Sequence, residues 1–123
     1  MSDAIALIKK MDDAFQAKDK ESFRSTLHPE YSFKGPMMGF SDVEEAVAFV
    51  ENCPFDFHNE NETYAEQGDT VFRVFDWVVT APFQKTIRMV EYIKMKDGKL
   101  HSAELFYDTA EFPAEAMAAM AAE

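Results

Sequence analysis

The sequence is poor in cysteine, glycine and long apolar runs, and each shortage excludes a class of site or structure. One residue of 123 is a cysteine, Cys53, so the chain forms no intramolecular disulfide, and a lone thiol is typical of the reducing cytoplasm. Four scattered glycines form no glycine-rich phosphate loop. No run approaches the length of a membrane-spanning helix, and the first ten residues lack the basic-then-apolar order of a signal peptide. We therefore predict a cytoplasmic protein.

Basic residues are also scarce. Twelve lysines and arginines stand against 23 aspartates and glutamates, which gives a net charge of −11. Such a chain repels nucleic-acid phosphates and anionic lipids at long range. We predict neither a nucleic acid nor a membrane as a partner.

Apolar and aromatic residues are abundant. They make up 47% of the chain and include 12 phenylalanines and 8 methionines, enough to build a core without disulfides or a structural metal. The length predicts a single domain, residues 1–123.

Helical spacing of apolar residues marks the first half of the sequence. It predicts amphipathic helices over residues 3–18 and 20–27, with Ser2 and Asp19 as N-caps. The sequence from Ser41 to Glu44 has the pattern of a capping box, which predicts the start of a third helix.

The second half of the sequence has the period-two pattern of strands. After a short strand at 31–34, it predicts long strands at about 55–66, 70–80, 86–96 and 99–108, the last two joined by an Asp-Gly turn. A closing helix is predicted at 114–122, with Met117 and Met120 able to pack on a pocket or a partner. Helices followed by an antiparallel meander indicate an α+β fold with helices on one face of a sheet.

One acidic residue breaks the alternation of the strand at 86–96. Ile87, Met89, Ile93 and Met95 share one face, and Glu91 lies among them. A carboxylate on an apolar face requires a partner, a proton or a cavity.

The order of elements resembles the nuclear transport factor 2-like superfamily, which includes SnoaL-like polyketide cyclases and ketosteroid isomerases. The resemblance rests on the Gly35-Pro36 bend before a capped helix, the Lys-Asp-Gly-Lys-Leu hairpin that ends at Leu100, and the closing Phe-Tyr-Asp that ends at Asp108. It implies a curved antiparallel sheet wrapped by N-terminal helices into a cone that encloses a pocket.

The resemblance to ketosteroid isomerases can be followed residue by residue. Met11 occupies the position of the oxyanion-binding tyrosine, and Gly35 occupies that of the aspartate base. Glu91 alone matches, since it occupies the position of an aspartic acid that an apolar site keeps protonated. The sequence therefore predicts that the ketosteroid isomerase mechanism is absent.

The neighbour of Glu91 depends on the register of two strands. If paired residue numbers add to an odd total, Asp76 shares the pocket face with Glu91; an even total places Arg73 beside Glu91. The resemblance favours the first arrangement, in which Asp76 is a base, Glu91 a protonated donor and Tyr107 a further polar group facing the ligand. The alternative is an Arg73–Glu91 salt bridge.

The pocket implied by the resemblance suits a small hydrophobic ligand with an oxygen function. Its predicted lining is Met11, Phe15, Met38, Phe57, Val74, Val78 and Ile93. We expect cofactor-free isomerisation, cyclisation or dehydration by acid–base chemistry, or else a non-catalytic binding or dimerisation module. No metal is expected, because His58, Glu60 and Glu62 alternate on a strand face that we predict to be outward.

The opposite face of the strand at 70–80 is also apolar, so a partner or another part of the chain must shield it from water. Val71, Arg73, Phe75 and Trp77 lie on it, and their aromatic and arginine content suits a homodimer interface. The alternative is packing by the chain's own C-terminal helix.

Overall fold

A computed structural model describes residues 2–114 of the chain. The helices are α1 (Asp3–Gln16), α2 (Lys20–Ser25) and α3 (Val43–Asn52), and the strands are β1 (Leu27–Lys34), β2 (Gly39–Phe40), β3 (Asp56–Gln67), β4 (Thr70–Ala81), β5 (Lys85–Lys96) and β6 (Lys99–Phe106). A 3-10 turn follows at Thr109–Glu111. The predicted helix at 114–122, with Met117 and Met120, lies almost wholly outside the described residues.

Each helix begins at a side chain that accepts a backbone N–H. Ser2 Oγ accepts the amide of Ile5 at 3.1 Å, and Asp19 caps α2 in the same way. At α3 the prediction was wrong by one residue, because the N-cap is Asp42, whose carboxylate accepts the Glu45 amide at 2.9 Å. The Glu45 side chain in turn bonds Ser41. The helix therefore begins at the residue whose carboxylate reaches its first turn.

The six strands form one sheet in the order β2-β1-β6-β5-β4-β3. Strands β3 to β6 form the predicted antiparallel meander, and β1 joins β6 in parallel. The β5–β6 turn is built on Asp97 and Gly98, both with positive φ. The register of β3 against β4 shifts between Glu60 and Thr63, where Asn61 has φ of +52°. Such an irregularity bends a strand and helps the sheet to curve.

The three helices cover one face of the curved, unclosed sheet. Ile8, Val50, Val71, Ile93 and Leu100 are among the side chains buried between the two layers. This confirms the predicted α+β arrangement. Among the described residues no helix has the length and apolarity that crossing a membrane requires.

Candidate active site in the cavity between helices and sheet

The register of β4 against β5 decides which side chain faces Glu91. Arg73 is directly opposite Glu91, and Asp76 is opposite Arg88. The paired numbers add to an even total, so the prediction that Asp76 and Glu91 share the pocket face was wrong. Asp76 lies on the outer face, where it contacts Asn61 at 2.7 Å and Arg88 at 3.1 Å. These contacts hold the pKa of Asp76 below its ordinary value, first through Asn61 and then through Arg88.

Arg73 joins two buried carboxylates. Its Nε donates to Glu91 Oε1 at 2.8 Å, and its Nη1 and Nη2 donate to the two oxygens of Asp12 at 2.6 and 3.1 Å. Asp12 comes from α1, whereas Arg73 and Glu91 come from adjacent strands. The side chains of Arg73, Glu91 and Asp12 are 4%, 7% and 11% exposed. We call these three residues the carboxylate–arginine cluster.

Burial raises the pKa of both acids in the cluster. It raises the pKa of Glu91, against the opposing attraction of Arg73, and Asp12 adds a further upward shift. Burial likewise raises the pKa of Asp12, while Arg73 and the nearby Asn59 lower it. For Arg73 burial acts to lower the pKa, but Glu91 and Asp12 together hold it well above the ordinary value. One guanidinium therefore faces two carboxyl groups that both resist ionisation.

The cluster lies at the polar end of a cavity of about 170 Å³ between the helices and the inner face of the sheet. Its walls are mainly aromatic and methionine side chains: Met11, Phe15, Phe23, Phe33, Met38, Phe40, Phe49, Phe55, Phe57, Phe75, Trp77, Met89, Tyr107 and Phe112. Phe15 packs edge-on against Phe57 at 5.1 Å, and Trp77 stacks on Phe112 at 5.8 Å. The charged groups therefore face an apolar space in which solvent screens them weakly.

Three further polar side chains line the cavity. Burial raises the pKa of Tyr31 and of Tyr107, and the charge of nearby Glu91 adds to the shift at Tyr31. Asn59 lies near Asp12, and its Oδ1 is buried without a hydrogen-bond partner among the described residues. Since buried polar atoms are usually paired, this oxygen is available to accept a hydrogen bond from a ligand donor.

The structure separates the predicted pocket residues into two groups. Met11, Phe15, Met38, Phe57 and Tyr107 line the cavity. Val74 and Val78 do not, because the even register turns them to the outer face together with Asp76. Ile93 is buried in the core beside the cavity.

The even register also corrects the predicted interface. Val71, Phe75 and Trp77 face the helices or the cavity together with Arg73, and none of them is an exposed side chain. The exposed large apolar side chains of the described residues are Phe72, Val90 and Phe106, all on the other face.

Sequence reasoning missed Asp12 and Asn59, although both carry a signal. Asp12 continues the spacing of Ile5, Ile8 and Phe15, so it lies on the apolar stripe of α1 as Glu91 lies on that of β5. Asn59 shares the inward phase of Phe57. Asp12, Asn59 and Glu91 share one pattern: each is a polar residue at a position where the periodicity of its helix or strand predicts an apolar one.

One group of side chains outside the cavity has the spacing of metal ligands. His28, Glu30 and His101 approach one another at the start of β1 and of β6. Nδ1 of His28 accepts the Glu30 amide at 3.0 Å, and Lys96 pairs with the Glu30 carboxylate at 3.1 Å. His28 Nδ1 and the Glu30 carboxylate are therefore already engaged, and His101 Nε2 lies 3.4 Å from the same carboxylate, so we interpret the group as a polar cluster.

Comparison with solved structures gives the same fold. A putative isomerase from Bacillus subtilis aligns with a TM-score of 0.79 and 14% identity over 97% of this chain and 97% of that chain. An epoxide hydrolase of the LEH-like type from M. tuberculosis aligns with a TM-score of 0.79 and 11% identity over 98% and 93%. An NTF2-like protein of unknown function from Burkholderia pseudomallei aligns with a TM-score of 0.77 and 20% identity over 90% and 95%. No curated protein matches the sequence significantly.

The sequence itself matches a known family over most of its length. The match is to the SnoaL-like domain and extends over residues 8–103. This stretch contains all of α2 and α3, strands β1 to β5 and the carboxylate–arginine cluster. The chain therefore belongs to the SnoaL-like family, and it has the NTF2-like fold that the resemblance implied.

Proposed function

We propose that this protein is a cofactor-free enzyme that moves protons on a small hydrophobic ligand with an oxygen function. One observation carries the proposal: two buried carboxyl groups share a single guanidinium at the polar end of an apolar cavity. Such an arrangement supports an acid and a base within one site.

The contacts of Arg73 suggest which carboxyl group has which role. Asp12 accepts two hydrogen bonds from Arg73, which favours its ionised form. Glu91 faces Arg73 through Oε1 alone, which lies 2.8 Å from both Nε and Nη2, whereas Arg73 contacts both oxygens of Asp12. Burial raises the pKa of both acids. In this proposal Glu91 carries the proton and donates it to the ligand oxygen, while Asp12 accepts a proton through a lone pair that Arg73 leaves free. Asp12 thus takes the role that the sequence had suggested for Asp76.

The reaction class agrees with that of structural relatives. The solved structures of similar fold include one described as a putative isomerase and one as an epoxide hydrolase. Both reactions move protons, but one fold hosts many functions. The proposal therefore rests on the cluster, and the fold is consistent with it.

Hydrogen exchange tests the proposal without knowledge of the substrate. We expect the protein in D₂O to accelerate deuterium incorporation next to the carbonyl of small cyclic and aryl ketones, measured by proton NMR. Asp12→Asn and Glu91→Gln should each abolish the acceleration, whereas the outer-face variant Asp76→Asn should retain it. Exchange that is equal with and without protein for every ketone would overturn the proposal, as would full activity in the cluster variants.

The second candidate is a binding protein without catalysis. Arg73 satisfies Glu91 directly, and such a contact also serves as a purely structural salt bridge. Ketones that bind in the cavity, seen as a change in Trp77 fluorescence, but do not exchange would support this candidate.

A second copy of the chain is the partner we propose, now on the corrected face. Phe72 stacks on Tyr92 at 5.0 Å, and Val90 is paired with Phe106 across β5 and β6. Phe72, Val90 and Phe106 are 44%, 38% and 48% exposed. A two-fold interface would bury this patch against the same patch of the second copy.

A cytoplasmic location stays a prediction, which rests on the single cysteine of the sequence, Cys53.

A further inference from the structure

The charges that line the cavity do not balance. Asp12 and Glu91 are acidic, and Arg73 is the single basic residue among the described residues that line it. With Glu91 protonated, as the acid–base proposal requires, the lining is neutral; an ammonium group beside Glu91 favours its ionised form, and the residues of the lining then carry a net charge of −1. Arg73 donates to both acids and has 3% of its surface exposed, so the cavity offers no free cation to an anionic ligand.

One hydrogen-bond acceptor at the cluster is also left unpaired. The guanidinium donates to both carboxylates, and the Asn59 side chain hydrogen-bonds Asp12. The Oδ1 of Asn59 is buried without a partner among the described residues. A ligand that brings an N–H donor and a positive charge corrects both imbalances.

The walls suit the same kind of ligand. The faces of aromatic rings attract cations, and desolvated ammonium groups bind in cavities lined by several rings. Phe15, Phe57, Phe75 and Trp77 line the cavity together with the cluster. The guanidinium of Arg73 already lies 4.5 Å from the centre of the Phe75 ring. The walls therefore accept positive charge as well as apolar surface.

We propose that the cavity selects ligands that carry a protonated alkylamine, with the ammonium at the carboxylate–arginine cluster and the alkyl groups against the aromatic walls. The inference rests on the proposed function in that both require the cavity to take up a ligand, but the two use different states of Glu91: protonated beside a ligand oxygen, and ionised beside an ammonium group. It adds the charge of that ligand, which neither the fold nor the acid–base chemistry specifies.

Three probes that share a tert-butyl group test which ligand charge the cavity prefers. tert-Butylammonium, tert-butanol and pivalate present a cation, a neutral donor and an anion on the same apolar group. Titration followed by Trp77 fluorescence, with calorimetry as a second measurement, should give tert-butylammonium about tenfold tighter binding than tert-butanol. We expect no binding of pivalate. Equal binding of the alcohol and the ammonium, or preferential binding of pivalate, would overturn the inference.

A matched pair of variants locates the effect. Glu91→Gln leaves Arg73 and Asp12 as a neutral pair and should remove most of the preference for ammonium, with little change for tert-butanol. Glu104→Gln makes the same change on β6 outside the cavity lining and should keep the wild-type preference. Equal loss in both variants would show that net charge of the protein, and not the cavity, attracts the ammonium.

The test is independent of catalysis. The wild-type probe series needs no folded variant, so the inference can fail even if Glu91→Gln is unstable. Ketone exchange without ammonium preference would overturn this inference and leave the proposed function intact. A preference for ammonium without ketone exchange would overturn the acid–base proposal and indicate a protein that binds amines.

Discussion

Arg73 is the residue on which the site depends. It is buried and donates hydrogen bonds to two acids whose charges would otherwise repel each other. Removing the central cation leaves two uncompensated carboxyl groups, which is far more harmful than the loss of an exposed ion pair. The arginine therefore opposes, at both acids, the rise in pKa that burial causes, and we expect its loss to destabilise the fold.

We expect Arg73→Met to lower the free energy of unfolding by about 3–5 kcal/mol, measured by urea denaturation. Arg88→Met provides the control, because Arg88 pairs with Asp76 on the outer face and is 51% exposed. Its effect should be much smaller. Similar losses in the two variants would contradict the importance we give to the buried cluster.

The raised pKa values of Asp12 and Glu91 predict an unusual pH dependence of stability. The folded protein holds these protons more tightly than the unfolded chain, whose values are near 3.8 and 4.5. As the pH rises from those values through the raised pKa values, the folded state therefore loses stability.

Glu91→Gln removes one of the two carboxyl groups whose pKa is raised in the folded protein. Its stability relative to wild type should improve as the pH rises from about 4 to about 8, as measured by urea denaturation at each pH. Comparing the two proteins cancels the opposite trend from Asp19, Glu30 and Asp76, whose pKa values are lowered by hydrogen bonds. A difference that is constant with pH would contradict the assignment.

At the level of elements, the strand register decides which side chains reach the cavity. The inward phase of β4 contains Val71, Arg73, Phe75 and Trp77, and the helices cover it. Helix α1 contributes Asp12, so the cluster also joins a helix to the sheet. The start of α3 is a separate element-level result, because its cap is one residue further along than the capping box predicted.

Asp42→Ala should therefore lower the free energy of unfolding by about 1 kcal/mol, through loss of the bond to the Glu45 amide. Ser41→Ala should cost less, since Ser41 bonds the Glu45 side chain at an exposed site. Thermal or urea unfolding of the two variants checks the order. A larger loss of stability in Ser41→Ala than in Asp42→Ala would instead support Ser41 as the N-cap.

At the scale of the whole molecule, we propose that copies of the chain associate through the exposed apolar patch around Phe72 and Phe106. The charge of −11 per chain opposes association, so a dimer requires this patch. We expect the wild type to sediment as a dimer and Phe72→Lys as a monomer. Gln67→Lys adds the same charge at an exposed position of β3 and should remain dimeric. A monomeric wild type would overturn the proposal.

The elements and their faces follow largely from local patterns. Helical spacing placed α1 and α2 to within a few residues, and the Asp-Gly turn identified the β5–β6 hairpin. The ring of aromatic residues around the cavity was predicted only in part, through Phe15, Phe57 and Tyr107, because its members come from elements far apart in the sequence.

The sequence by itself determined the α+β order of elements, which residues of a strand share a face, and the anomaly at Glu91. Only the tertiary structure decided that Glu91 faces Arg73 and that Asp12 completes the cluster. The physical reason is that alternation along a strand defines two faces but does not say which face of the next strand aligns with them. That alignment depends on the connection at 82–84 and on packing of the helices, which no local pattern contains.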